Sequence, residues 1–492
     1  MNVYENDLNI TCLSLQVGET DREKRIVWSH NSRRKGGRVI YAKAEDYDRD
    51  GDFTEENSTV VEALTQINRA YDDRLSCKAR LYGLEFDTEY VYSVGDGEEF
   101  DRMVWRFRMP KDTSKSCSFA LVSDIHFNVY QRKADDVQFH SRFIKWNQLL
   151  KSIFEYSNDT PACLISAGDN ASVCHMGQSR YADPSKYTPA GIMAYSEREN
   201  EEFLSVPMMK SVAFATTLGN HDALAKDTSD DYSSITGYHY DMPHDDGKTG
   251  HYVDYSQGAF YFRCGQALII GLNLLAKAQG CTAACSPEAH REFILRAIEN
   301  EPDAKWRILV NHVPAYSYVT SADIKDDGTK TETFYLREHF IKMLKGIDID
   351  IVFTGHQHAF SRSYHIKDGA PVDKDKLITE TDENGYLRAK TADPTGALHY
   401  NMPATSTFSF SDNIAENRHE FYANYALGEY VYKQAKNEGK SWCEDYRGTT
   451  YNSAPFVFVR TDEDDEKYSI TIQTVPYETL IPLDTYTIEK TK

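Results

Sequence analysis

Along the first 110 residues, apolar and polar positions alternate with a rough period of two. The segments "NITCLSLQ", "KRIVWSHN", "GRVIYAKAE", "CKARLYGL", "TEYVYSVGDG" and "RMVWRFRMP" are short, and turn residues separate most of them. This pattern predicts strands that bury one face each, stacked as a β-sandwich. Trp28 is expected in its core. The polar stretch "PKDTSKS" (110–116) reads as a linker. Beyond it the pattern changes. Unbroken apolar runs, "CSFALVSD", "ACLISAGD", "SVAFATTLGN", "QALIIGLNL", "KWRILVNH" and "IDIVFTGH", read as buried strands. Helical spacing marks "FHSRFIKWNQLLKSIFEYS", "SPEAHREFILRAIEN" and "TFYLREHFIKMLKGI". The Ser-Pro-Glu opening of the second suits a helix start. Strands interleaved with helices predict an α/β layered domain. Residues from about 364 onward are Tyr-rich and irregular, apart from two expected strands, "PFVFVRT" and "YSITIQTV". The fold class is therefore α/β: a sandwich over 1–110, then an α/β domain over 117–492 with a β-rich extension from about 364.

Composition narrows the function classes. Hydrophobic residues make up 40% and charged residues 27%, ordinary values for a soluble globular protein. No run approaches the ~18 apolar residues of a membrane helix, so no membrane partner is expected. The net charge of −21 repels nucleic acid and anionic membranes, yet allows a small anionic substrate at a locally positive site. The nine cysteines are an odd number, scattered singly except for Cys281 and Cys285. That argues against a disulfide framework. Cys281 and Cys285 read as ordinary thiols, with a disulfide or minor metal site as the alternative; Cys163 and Cys264 read as small buried hydrophobes. The acidic N-terminus shows no basic start followed by an apolar stretch. A cytoplasmic protein is expected, with export after removal of a leader as the alternative.

Five apolar runs end alike. "FALVSDIH" ends in Asp124 and His126, and "LISAGDN" in Asp169 and Asn170. "FATTLGNHD" ends in Asn220, His221 and Asp222, "RILVNH" in His312, and "VFTGHQH" in His356 and His358. Ligand sites in α/β sheets form beyond the carboxyl ends of strands. Carboxylates, an amide and imidazoles at those ends are all metal ligands. On an extended backbone, residues i and i+2 point the same way about 6.6 Å apart. Such pairs can straddle two ions about 3.5–4 Å apart. Gly168, Gly219 and Gly355 let the chain turn closely there. Singly, an Asp-x-His is ordinarily a loop or capping group, and Gly-Asn-His-Asp reads as a turn. Five in one domain point to a binuclear metal centre.

In this order the motifs Asp-Ile-His, Gly-Asp-Asn, Gly-Asn-His-Asp, Asn-His and Gly-His-Gln-His resemble the calcineurin-like metallophosphoesterase superfamily over roughly 118–365. The front sandwich resembles a fibronectin type III domain, with "LYGLEFDTEYVYSV" at the corner that a Leu and a Tyr close. That domain, "GHQHAFSRS" with its trailing Arg362, and the β-rich tail near 455–490 resemble purple acid phosphatases. The resemblance implies an α/β/β/α four-layer sandwich. It assigns Asp124, His126, Asp169 and His358 to one ion, and Asp169, Asn220, His312 and His356 to the other, with Asp169 bridging. Two departures stand out. Purple acid phosphatases carry a ferric-binding Tyr three residues after the bridging Asp, where this chain has Ser172, and a Gly where it has His126. With no Tyr or thiolate in the set, two divalent ions are expected, with Mn, Fe or Zn the candidates.

The activity so implied is hydrolysis of a phosphorylated small molecule, a phosphate monoester, by a hydroxide held between the metals. His221 would assist the leaving group, and Asp222 would orient that imidazole. A phosphodiesterase or nucleotide pyrophosphatase could use the same centre. A non-catalytic binding protein is the alternative from another class, and against it stands a complete ligand set. On the substrate side the candidates are His251 and Arg362, with His175, His239, Tyr240 and His244 weaker. The aromatic stretch 419–448 reads as a packed appendage or a lid.

Overall fold

The strands Ser116–Val122, Leu164–Ser166 and Phe214–Thr216 run parallel side by side at the centre of a twelve-stranded sheet. Leu164 stands opposite both Ala120 and Phe214, so the three carboxyl ends finish at one level. A second sheet of seven strands has Ala267–Leu272, Trp306–Asn311 and Ile351–Thr354 parallel at its centre. The structure, a computed structural model, describes residues 8–31, 35–68, 74–127, 136–171, 189–222, 236–249, 258–274, 286–316, 332–356, 360–382, 387–405, 455–482 and 484–492.

Side-chain parity shows how the layers form. Ile308 and Val310 join Phe119 and Leu121 in the large core, whereas Leu309 between them joins Phe293, Leu336 and Phe340 of the helices Pro287–Asn300 and Glu332–Leu344. Both faces of these central strands are covered, which is why their sequences run apolar without alternation. The helices Asp136–Ser157 and Pro189–Ser205 supply Trp146, Leu149, Ile153 and Phe203 to the large core. The order is helix, sheet, sheet, helix. Pro287–Asn300 begins as its sequence suggests: the Ser286 side chain accepts from the Ala289 N–H at 3.1 Å, and Pro287 follows. Among the described residues, no helix is long and apolar enough to cross a membrane.

The first 110 residues form the expected sandwich. Four strands, from Thr11–Val17 to Leu64–Ile67, close one edge of the large sheet, and a separate four-stranded sheet covers them. Trp28 is fully buried. Leu84 is buried, and the Tyr90 hydroxyl accepts from the Glu85 N–H at 3.0 Å, closing the corner. The sandwich is not detached. Gln16 pairs in parallel register with Phe214, so the large sheet continues across the region near 110. Arg25 and Arg80 both reach Asp241 at 3.1 Å.

Five elements differ from the sequence reading. Ala44–Asp50 is a helix, with Glu45 and Asp46 in its first turn and Gly51 left-handed (φ 78°) at its end, where a strand was expected to continue. Pro189–Ser205 is a helix between the expected strands "ACLISAGD" and "SVAFATTLGN", where no element was predicted. The region after 364 is more regular than expected, with Leu387–Ala392 and Ala397–Asn401 both in sheets. A third terminal strand, Asp484–Thr491, buries Tyr486 and Ile488 on alternate positions.

Candidate metal centre

The ends of the parallel strands meet in one place, but not as extended chain. Ser116–Val122 stops before Asp124, Leu164–Ser166 before Asp169, and Ile351–Thr354 before His356. Asp124, His126, Asp169 and His356 all take the left-handed conformation, with φ of 53°, 47°, 56° and 70°. The expected i, i+2 geometry of a strand therefore does not apply. Tight loops turn these side chains back towards a shared point. Such conformations are costly for residues with a β-carbon and cluster at functional sites.

The loops interlock through backbone bonds. His126 N–H donates to Asp169 O at 2.9 Å, and Asp124 N–H to Gly168 O at 3.1 Å. Gly355 N–H donates to His312 O at 2.9 Å, joining two neighbouring loops of the second sheet. A β-carbon on Gly355 would stand 2.6 Å from Asp124 Oδ2. Gly168 itself sits at φ 97°.

At the centre lies the Asp169 carboxylate, 1% exposed. His312 Nε2 is 3.1 Å from its Oδ2, His126 Nε2 3.8 Å and His221 Nε2 4.0 Å. Its Oδ1 accepts from the His221 N–H at 2.6 Å. Asn220 Oδ1 faces His312 Nε2 at 3.0 Å and His356 Nδ1 at 2.7 Å. Asp124, fully buried, has Oδ1 3.7 Å from His126 Nε2. Its Oδ2 accepts from Ser123 Oγ at 2.6 Å and the His356 N–H at 2.8 Å. Two groups with ligand-atom spacing result, His126–Asp169–His221 and Asp169–His312–His356, and Asp169 belongs to both. His221 thus lies on the His126 side, its ring edge-on to His126 at 4.6 Å between centroids.

The tautomer of His312 tests whether cations fit here. Its Nδ1 sits 2.9 Å from the Ala167 carbonyl oxygen, which fixes the ring proton on Nδ1. In a neutral ring, Nε2 then directs its lone pair at two further acceptors, Asp169 Oδ2 and Asn220 Oδ1. Only a cation at that point, a proton or a metal ion, relieves the clash. Burial pushes the His312 pKa down, but the Asp169 charge outweighs it and holds the value at about 9. The arrangement suits a metal ligand that donates its other nitrogen proton to a backbone carbonyl.

Some candidates lie elsewhere. Asp222 does not orient His221. Its carboxylate, 6% exposed, accepts three backbone N–H groups: from Asp169 at 2.7 Å, Gly219 at 2.9 Å and Ala171 at 2.9 Å. It clamps the Asp169 loop to the Gly219 turn. Arg362 is not on the substrate side. It is fully buried in the strand Ser361–Lys367 and makes a two-pronged pair with Asp484 at 3.0 and 3.1 Å. A buried guanidinium needs such a partner, and its burial keeps it from a substrate. Asn170 is also structural, bonded to Ser166 and Thr216. His239 pairs with Glu197, Tyr240 is buried, and His244 stacks on Tyr261 at 4.1 Å. His358, His251, His175, Cys281, Cys285 and the stretch 419–448 lie outside the described residues. Ser123 was missed by sequence reasoning, although its place directly before Asp124 was the available signal.

Comparison with known proteins points to one family of phosphoesterases. A family profile for calcineurin-like phosphoesterases matches residues 117–360, and one for the N-terminal domain of purple acid phosphatases matches 11–117. The purple acid phosphatase PPD1 from yellow lupin (Lupinus luteus) seeds is similar in structure, with a TM-score of 0.64 at 14% identity. The match covers 99% of this chain and 75% of that one. PhoD matches with a TM-score of 0.50 at 10% identity, covering 94% and 86%. At such identities the likeness is one of fold. No curated protein matches the sequence.

Proposed function

Since the chain belongs to the calcineurin-like phosphoesterase family and is a hydrolase of phosphoric esters, we propose that it cleaves phosphate monoesters at a centre of two divalent ions. The observation that carries this reading is Asp169, one buried carboxylate shared by two groups of donors. Asp124, His126, Asp169 and His358 would hold one ion, and Asp169, Asn220, His312 and His356 the other. Mn, Fe or Zn suits this set of imidazoles, carboxylates and an amide oxygen. When bound, such ions supply a nucleophile from water near neutral pH and positive charge for the phosphoryl oxygens.

The protein's own groups do the rest. The left-handed loops hold the donors in place before any ion arrives. Asp222 fixes the spacing of the Asp169 and Gly219 loops. His221, half-buried beside His126, would pass a proton to the departing alkoxide. Small phosphorylated molecules are the substrate class, and diesters are the competing one.

A panel of aryl mono- and diesters with graded leaving groups tests this. The expected result is faster turnover of monoesters. His221→Ala should retain the ions and lose rate, most with the poorest leaving groups. Preference for diesters, or an equal loss across leaving groups, would overturn the corresponding part.

A further inference from the structure

Among the described residues, three groups of side chains have metal-ligand spacing, and two of them belong to the centre above. The third lies apart from it. Cys12, Glu197 and His239 each place one donor atom within 4.8 Å of the other two, and the three residues are 3%, 0% and 0% exposed. They come from three separate pieces of chain: the first strand of the sandwich, the helix Pro189–Ser205 and the short helix Thr236–His239.

Several features converge on this cluster. Cys12 has φ 52°, and the pairing of its strand with Lys24–His30 slips between Thr11 and Ser14. A bulge of this kind re-aims a side chain and is commonly found beside functional sites. Glu197 is held from behind: Asn68 Nδ2 donates to its Oε1 at 2.8 Å, and Arg74 lies 3.5 Å from the same oxygen. Its Oε2 takes His239 Nε2 at 2.7 Å, while Nδ1 of this fully buried ring has no hydrogen-bond partner. A cation in place of the proton between Nε2 and Oε2 would hold both residues at once. The main chain of His239 is anchored too, since Gln16 Nε2 donates to its carbonyl at 2.7 Å. Finally, Cys12 lines a cavity of about 600 Å³ together with Leu13, Trp105, Phe143 and Lys210, which gives an ion and its water a route in.

We infer that Cys12, Glu197 and His239 form a further site for a divalent cation of borderline softness, of the zinc type, which ties the sandwich to the catalytic domain. One sulfur, one nitrogen and one oxygen donor suit such a cation, and three protein ligands leave a position for water. Binding converts the Cys12 thiol to thiolate and releases one proton to solvent. The cation, the thiolate and Glu197 sum to zero, and the charge of Arg74 beside them is offset by Glu201.

Cobalt(II) titration of metal-free full-length protein tests the site independently of the phosphoesterase centre. That centre has no sulfur among its proposed ligands, so a sulfur-to-cobalt charge-transfer band in the near ultraviolet reports thiolate binding alone. The wild type should develop the band, complete once about three cobalt ions per chain are bound, one of them at the sulfur site. Cys12→Ser should lose the band while remaining folded by circular dichroism. Asp169→Asn should keep it. No band in the wild type, or a band of full intensity in Cys12→Ser, would overturn the assignment. If Cys12→Ser does not fold, a wild-type band that disappears with Asp169→Asn would do the same.

Discussion

Gly219 presses so closely on Asp169 that a β-carbon at position 219 would stand 2.7 Å from the carboxyl carbon. The two residues lie on neighbouring loops, and neither can move without the Asp222 clamp that joins them. Gly219→Ala should therefore displace the shared carboxylate while adding only one methyl group. A misplacement of about 1 Å in such a site costs on the order of 100-fold in rate. Turnover together with metal content measures it; unchanged values for both would show that the loop has slack.

Asp222→Asn replaces an acceptor of three N–H groups with one whose amide faces a donor. A buried polar group left unpaired costs about 1–3 kcal/mol. The expected result is a lower denaturant midpoint and weaker metal retention, with the dependence of rate on leaving group unchanged. A loss confined to poor leaving groups would restore the orienting role first assigned to Asp222.

The Arg362–Asp484 pair predicts a purely structural phenotype. Both side chains are essentially inaccessible, and the guanidinium also lies over Tyr486 at 4.7 Å. Removing one partner of a buried pair costs about 3–5 kcal/mol. Arg362→Ala should lower the unfolding midpoint and leave KM unchanged at temperatures where it stays folded. A raised KM at unchanged stability would return Arg362 to the substrate side.

These residues show what the sequence could and could not reveal. Apolar runs ending in Asp, Asn or His were visible because both faces of a central strand are buried and the polar residues begin where the strand stops. The left-handed turns at Asp124 and Asp169 were not visible, since nothing in Asp-Ile-His or Gly-Asp-Asn was read as distinguishing extended from left-handed backbone. Asp222 was misread because its partners are backbone amides, which leave no mark in the sequence. Arg362 follows the histidine motif closely, but the partner that draws it inward lies 122 residues away. The helix Pro189–Ser205 hid in a charged stretch, and with it Glu197.

His290 and His339 give a pH dependence remote from the metals. Their rings meet between two helices, Nδ1 to Nε2 at 3.2 Å. Burial holds His290 down at about 3 and His339 at about 4. Both lie below the ~6.5 of an unfolded histidine, so the unfolded chain takes up these protons first. Their contribution to stability is full above about pH 6.5 and drains away as pH falls through 4 to 3. His339→Gln should flatten the fall in Tm between pH 6.5 and 4; an identical slope would contradict this.

The most direct test of a shared bridging carboxylate is elemental analysis of purified wild type and Asp169→Asn prepared side by side. The expected result is a difference of about two ions per chain, with hydrolysis lost in the variant. A variant that keeps both ions and its turnover would contradict a two-ion centre built around Asp169.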